Sequence, residues 1–225
     1  MRVGIITSPK MLKYSTTDIH YCLPRFIVED LRYRKFFQSK LDKGDAVITD
    51  LVEPGWKRKP ERLLVIEEAL QYLTPTHIIL PSLMFDSKKT TELIEKFGSL
   101  LDGVRAPKIA CVEGADFGAI AGMLTALRHC RIIAYPSHLY RLHTPIIERD
   151  KGQSVIYIDN YRCVDELSGI KEGILVTSLP IRLGLAGRFL SDYSPAPPHL
   201  KFDEEEKFPA IIRKNVQEVI EHYGD

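Results

Sequence analysis

The chain has 225 residues and a mass of 25.7 kDa, with 44% hydrophobic and 27% charged residues, the profile of a folded globular protein and not of a disordered one. Its 31 Lys and Arg nearly cancel its 30 Asp and Glu, leaving a net charge of +1 that excludes a uniformly basic nucleic-acid coat and an acidic tail protein. No apolar run approaches the roughly 20 residues that span a bilayer, no signal-peptide core opens the chain, and the four cysteines (Cys22, Cys111, Cys130, Cys163) form no CxxC or Cys/His set, so the expectation is one metal-free domain in the reducing cytoplasm.

Residues 2–7 form a continuous apolar run stopped by Ser8 and Pro9, and read as a buried strand. Residues 24–43 carry Phe26, Ile27, Leu31, Phe36, Phe37 and Leu41 at mixed helical spacing and predict a helix ended by Gly44. A second strand is predicted over 46–49. Residues 61–73 place Leu63, Leu64, Ile66, Ala69, Leu70 and Leu73 on one side of a helix, with Pro60 near its start and Thr74-Pro75 as its end. A third strand covers 77–80, and a helix over 87–101 turns Leu93, Ile94, Phe97, Leu100 and Leu101 inward. There follow a strand over 108–112, an Ala- and Leu-rich helix over 117–128, strands over 131–134 and 154–158, a short helix over 163–168 and a strand over 173–176. Residues 181–189 begin as helix, and Pro195, Pro197 and Pro198 force a loop. A last helix is predicted over 203–222, with Glu204, Glu205 and Glu206 near its N-terminus, where the helix dipole favours them.

Wholly apolar strands alternating with helices predict a parallel sheet covered on both faces. Seven strands are clear and an eighth fits near 141–147, which suits a closed (β/α)8 TIM-type barrel, complete or compact, as well as an open doubly wound sheet. The absence of GxGxxG, GxxxxGK[ST] and GxSxG leaves a dinucleotide site, a P-loop and a hydrolase elbow without motif support.

In a parallel barrel the chemistry sits at the C-terminal strand ends. Here those ends read Thr49-Asp50, Pro81-Ser82 with Asp86 after it, Glu113-Gly114, Tyr135-Pro136-Ser137-His138, Asp159-Asn160 and Thr177-Ser178. Several carboxylates around one mouth suit acid/base or nucleophilic work at a sugar carbon. Plain structural duties compete for each of them. Asp86 before Ser87 is placed to cap a helix, Asp50 to cap the loop or bind a backbone amide, and His138 and His143 to be hydrogen-bonded or surface histidines, while His20 stands in an otherwise undirected segment. Lys57, Arg58 and Lys59 beside Trp56 form a basic cluster suited to a phosphate backbone, or simply a solvated face, and Arg32, Arg34 and Lys35 form another.

Five stretches carry more when taken in order: Asp18-Ile19-His20-Tyr21; residues 33–50 with Phe36-Phe37 and Gly44-Asp45; Ile79-Leu80-Pro81-Ser82 through Asp86 to Thr90; Val112-Glu113-Gly114; and Val176-Thr177-Ser178-Leu179-Pro180. Over residues 1–190 this order resembles the transglycosylase barrel family that exchanges guanine for 7-deazaguanines, and within it the short phage-type branch that includes the deoxypurine-in-DNA proteins. The resemblance implies a TIM barrel without cofactor, in a bacterial or phage-infected cell, acting as a pentosyltransferase on a purine or 7-deazapurine base in nucleic acid, DNA ahead of tRNA. It implies further that Asp50 matches the aspartate at the base-recognition and proton-transfer end of the pocket. Ser82 stands where an aspartate reads the purine edge, and Glu113 where a glutamine bonds the base. Val176 stands where the nucleophilic aspartate attacks the sugar C1′, and valine cannot form a glycosyl-enzyme bond.

Three expectations follow. Another carboxylate (Asp50, Glu113 or Asp159) does the chemistry, with Glu113 stabilising oxocarbenium-like charge. Alternatively the barrel is catalytically silent and serves as a nucleic-acid-binding or partner subunit, as a homodimer or beside an active paralogue. In the third, a loop shift lets Asp159 or Asp165 supply the nucleophile. The expected site thus comprises Asp50, Glu113 and Asp159 as catalytic residues. Ser82, Asp86, Gly114, His20 and Ser178 are expected to bind substrate, and Lys57, Arg58 and Lys59 to meet the nucleic-acid backbone. The structural zinc of the tRNA branch finds no Cys/His set here.

Overall fold

Eight short strands, apolar through most of their length, pair in parallel in chain order and close on themselves. They are β1 (Arg2–Ile6), β2 (Ile19–Cys22), β3 (Ala46–Asp50), β4 (His77–Ile79), β5 (Lys108–Cys111), β6 (Ile132–Pro136), β7 (Ser154–Ile158) and β8 (Ile174–Thr177), with β8 returning to β1. The helices lying wholly among the described residues are α1 (Pro24–Glu29), α2 (Leu31–Asp42), α3 (Glu61–Tyr72), α4 (Ser87–Leu100), α5 (Phe117–Ala126), α6 (Leu179–Leu185) and α7 (Pro209–Tyr223). This computed structural model describes residues 1–51, 61–139, 153–158, 166–167, 170, 172–192, 195–197, 200 and 203–224. The architecture is a (β/α)8 TIM barrel.

Burial on both faces explains why the strands lack alternation of apolar and polar residues. Side chains of one parity fill the barrel: Ile19, Tyr21, Ile48, Ile79, Ile109, Cys111, Ala134, Ile156, Ile158 and Val176. Those of the other parity meet the helical layer. Val3, Ile5, Ala110, Ile133 and Tyr135 pack with α5, α6 and α7, and Val47 packs with Tyr33 and Phe37 of α2. No helix among the described residues is long and apolar enough to cross a membrane.

Three features depart from the sequence expectations. The helix expected over 24–43 breaks at Asp30, whose extended backbone and side chain cap α2 by accepting from the N–H groups of Arg32 (2.8 Å) and Tyr33 (3.0 Å). Gly44, at φ +85°, ends α2 as expected. The eighth strand is β2, not a segment near 141–147, which lies outside the described residues, as does most of the short helix expected over 163–168. The last helix begins at Pro209, so Glu206 serves no helix dipole. Instead its carboxylate accepts from Lys13 (2.5 Å) and from the Tyr14 hydroxyl (2.8 Å), tying the approach to α7 onto the 3₁₀ segment Pro9–Tyr14.

His20 is why β2 hides in the sequence: a polar residue interrupts the apolar run. Its side chain points outward and is fully buried, held by Ser15 Oγ (2.7 Å) and Asp45 (3.1 Å) and walled by the rings of Phe36 and Phe37. Burial lowers its pKa below 6.5 against the opposing pull of Asp45, and burial lowers that of His77 as well. Both rings therefore resist protonation in the fold, while the unfolded chain binds protons below about pH 6.5. Stability present above that pH is expected to drain as pH falls from there toward the folded pKa values. Thermal unfolding followed from neutral pH to about pH 5 should show the loss. His20→Asn should flatten the slope while lowering the neutral plateau; a slope equal to that of the parent would refute the assignment.

Candidate functional site

Strand tilt in a closed barrel carries inward residues of alternate strands to a common level. Here the register stacks three such levels toward the C-terminal ends: Gly4, Ile48, Ile109 and Ile156; then Tyr21, Ile79, Ala134 and Val176; then Ile6, Asp50, Cys111 and Ile158. Exposure identifies the open end. It is at most 1% for the three isoleucines of the lowest level and at most 3% in the next, but 5–9% in the third. The third level is thus the floor of the mouth, and Asp50 is its charged member. The Tyr21 hydroxyl rises from the level beneath and donates to Asp50 Oδ2.

Cys111 lies beside both acidic groups. Burial pushes its thiol well above 9.0, and the charges of Asp50 and Glu113 push it further, against a hydrogen bond with Ser82. The thiol stays protonated near neutrality and is no nucleophile there. Asp50 shares its level with Cys111, and Glu113 lies two residues beyond Cys111 on the same strand, so the two carboxylates stand around one mouth.

Glu113, two residues beyond the end of β5, has a side chain only 3% exposed. Its Oε1 accepts from Ser82 Oγ (3.2 Å), and its Oε2 accepts from the Phe85 N–H (3.1 Å) and from His138 Nε2 (2.9 Å). Phe85 holds φ +62°, a conformation that costs a residue with a Cβ about 1–3 kcal/mol and persists where surrounding contacts impose it. Those contacts are visible. Its N–H reaches Glu113, and its ring stands edge-on to His138 at 4.9 Å and 72°. The loop is anchored where the Leu83 N–H donates to Thr90 Oγ1 of α4 (2.9 Å).

Several expected site residues take structural places. His20 faces α2 from the outer side of β2 and does not reach the mouth. Asp86 caps α4, accepting from the Lys89 N–H at 2.9 Å. Gly114 lets α5 close on the strand end: a Cβ there would lie 2.6 Å from Ile120 Cγ1 and 2.9 Å from its backbone nitrogen. Ser178 is buried and follows Val176 on the inward row, its carbonyl accepting from the Arg182 N–H (3.0 Å). Ser82 joins Glu113 as described. Asp159, Asp165, Lys57, Arg58, Lys59, Trp56 and His143 lie outside the described residues. The structure adds Tyr21, Phe85 and His138. Of these only His138 carried a sequence signal, a histidine just past a strand end. No group of three His, Cys, Asp or Glu among the described residues is placed to hold a metal ion.

No family model matches the chain, and no curated protein sequence matches it. Solved structures do. The YdjI aldolase of Escherichia coli K12 superposes with TM-score 0.56 at 14% identity, over 100% of this chain and 91% of that one. N-acetylneuraminate lyase of Mycoplasma synoviae superposes in two crystal forms, with TM-scores 0.51 and 0.52 at 10% and 11% identity, over 99% of this chain and 97% and 98% of those. At such identities the likeness shows the barrel fold alone.

Proposed function

We propose that the mouth takes a purine-type base, guanine or a 7-deazaguanine, from nucleic acid, DNA ahead of tRNA, and acts on the bond joining base to sugar. What supports this reading is two carboxylates at neighbouring strand ends of one barrel, Asp50 on the level of Cys111 and Glu113 two residues beyond it. A carboxylate accepts from the paired N–H donors of a guanine edge, and Asp50, at the floor, suits that role. A second fixed negative charge favours the oxocarbenium-like carbon that forms as a glycosidic bond opens, and Glu113 suits that one. Exposed Phe85, in the loop between β4 and α4, offers a ring face for stacking. Lys57, Arg58 and Lys59 are proposed to meet phosphate.

The test is exchange or release of radiolabelled guanine with duplex DNA and with tRNA, joined to mass spectrometry of nucleosides from cells with and without the protein. Asp50→Asn is expected to cost about a hundredfold or more in rate. Unchanged rates in both Asp50→Asn and Glu113→Gln would overturn the enzymatic reading. One observation favours a second reading. Val176, on the level beneath Asp50 and fully buried, offers no nucleophile. A silent barrel would bind guanine or oligonucleotide and leave every nucleoside unaltered.

A further inference from the structure

We infer that His138 is the proton-carrying group of this mouth and that Glu113 is its positioning residue. The inference rests on the base-processing reading for its substrate, but not for its geometry. A carboxylate only accepts, so His138 Nε2 is the donor in its 2.9 Å contact with Glu113 Oε2. A neutral imidazole has one N–H. With that proton on Nε2, the lone pair sits on Nδ1. Nδ1 has no hydrogen-bond partner among the described residues and is not one of the buried unpartnered atoms. The His138 side chain is 18% exposed against 3% for Glu113, so the histidine is the member that a ligand reaches.

The arrangement around the pair is that of a support. Ser82 and the Phe85 N–H occupy Glu113 from the β4 side, leaving its carboxylate little capacity for a substrate donor. Phe85 contributes twice from its left-handed conformation, by its N–H to Glu113 and by its ring edge against His138. Strained residues that fix an acid–histidine pair are expected where orientation matters to chemistry. Among the described residues the titratable groups on this side of the mouth are Glu113 beyond β5 and, deeper, Cys111 of β5, Asp50 of β3 and Tyr21 of β2.

In base exchange the proton cycle closes on one atom. As the C1′–N bond breaks, its electron pair goes to the ring nitrogen of the leaving base, which takes the Nδ1 proton of protonated His138. The incoming heterocycle is the co-reactant. Its nitrogen pair forms the new C1′–N bond and its N–H proton passes to Nδ1, restoring the imidazolium. The Glu113 carboxylate, hydrogen-bonded to Nε2, steadies that charge.

The test pairs imidazole ¹⁵N NMR of the intact protein with guanine-exchange kinetics. The expected results are a protonated Nε2, an Nδ1 resonance that moves on adding guanine, and His138→Gln with kcat lowered about a hundredfold at a KM within about threefold of the parent. His138→Ala should regain rate with added imidazole, which a structural role would not allow. Glu113→Gln should move the pH–rate profile to lower pH, because the imidazolium loses its counter-charge. A neutral His138 that carries its single proton on Nδ1 instead of Nε2, or His138→Gln with parental kcat, overturns the inference. If the parent protein exchanges no base while guanine still moves Nδ1, the exchange reading falls and the proton site stands. Exchange that survives His138→Gln does the reverse, and silence in both measurements overturns both.

Discussion

Glu113→Ala is expected to lower stability by about 3–5 kcal/mol, more than one stranded donor costs and less than three independent ones would. Three donors lose their acceptor at once: Ser82 Oγ, the Phe85 N–H and His138 Nε2. A donor stranded out of water costs about 1–3 kcal/mol, and the three share one carboxylate, so their losses do not simply add. Phe85 adds to the effect, because the bond to Glu113 is part of what keeps it at φ +62°. For a chain of this length the thermal midpoint should fall on the order of 10 °C. Glu113→Gln keeps one carbonyl acceptor and the packing, and is expected to cost less than half as much. Circular dichroism melts of both variants check this. Equal midpoints for parent and Glu113→Ala would mean that the support around Glu113 contributes nothing to the fold.

This support also shows where sequence reasoning stops. Asp50 and Glu113 were legible because a charged residue ending an apolar run is anomalous, and strand parity sends both inward. His138 was visible as a histidine after a strand, but its partner lies 25 positions away and meets it only once β5 and β6 lie side by side. Phe85 gave no signal at all. Left-handed backbone is read from glycine or asparagine, and here tertiary contacts impose it on an aromatic residue. The same limit hid β2, where His20 breaks the apolar pattern and its compensation by Ser15, Asp45 and two rings comes from the folded chain. Local chemistry worked in the other direction at Asp86, where capping is argued from the sequence and is what the structure shows. At Gly114 the sequence pointed toward ligand contact, yet the glycine serves a close approach of helix and strand that only packing reveals.

Gly184→Ala is expected to destabilise the barrel by about 3 kcal/mol, the upper end for forcing a methyl group into a filled core. Every residue of α6 is buried, and Gly184 is where α7 crosses it. A Cβ at position 184 would lie 2.4 Å from Ile212 Cγ1, 2.8 Å from Ile212 Cα and 3.0 Å from its nitrogen. The side-chain carbon can rotate away, but the backbone atoms yield only if α7 moves. That helix is fixed on its other contacts: Asn215 accepts from the Leu190 N–H (2.9 Å) and donates to the Arg188 carbonyl (2.9 Å), while Ile212, Val216 and Val219 fill the outer core. Displacing it would strand the buried amide as well as open the core. Gly122→Ala separates this steric cost from the general effect of replacing a helical glycine. Gly122 lies exposed within α5 with no atom near the added carbon, so alanine there should stabilise by about 0.5–1 kcal/mol through helix propensity alone. Opposite shifts of the denaturation midpoint are therefore expected from the same chemical change in two helices, and a Gly184→Ala midpoint at or above that of the parent would mean that α7 is not seated on α6 as described.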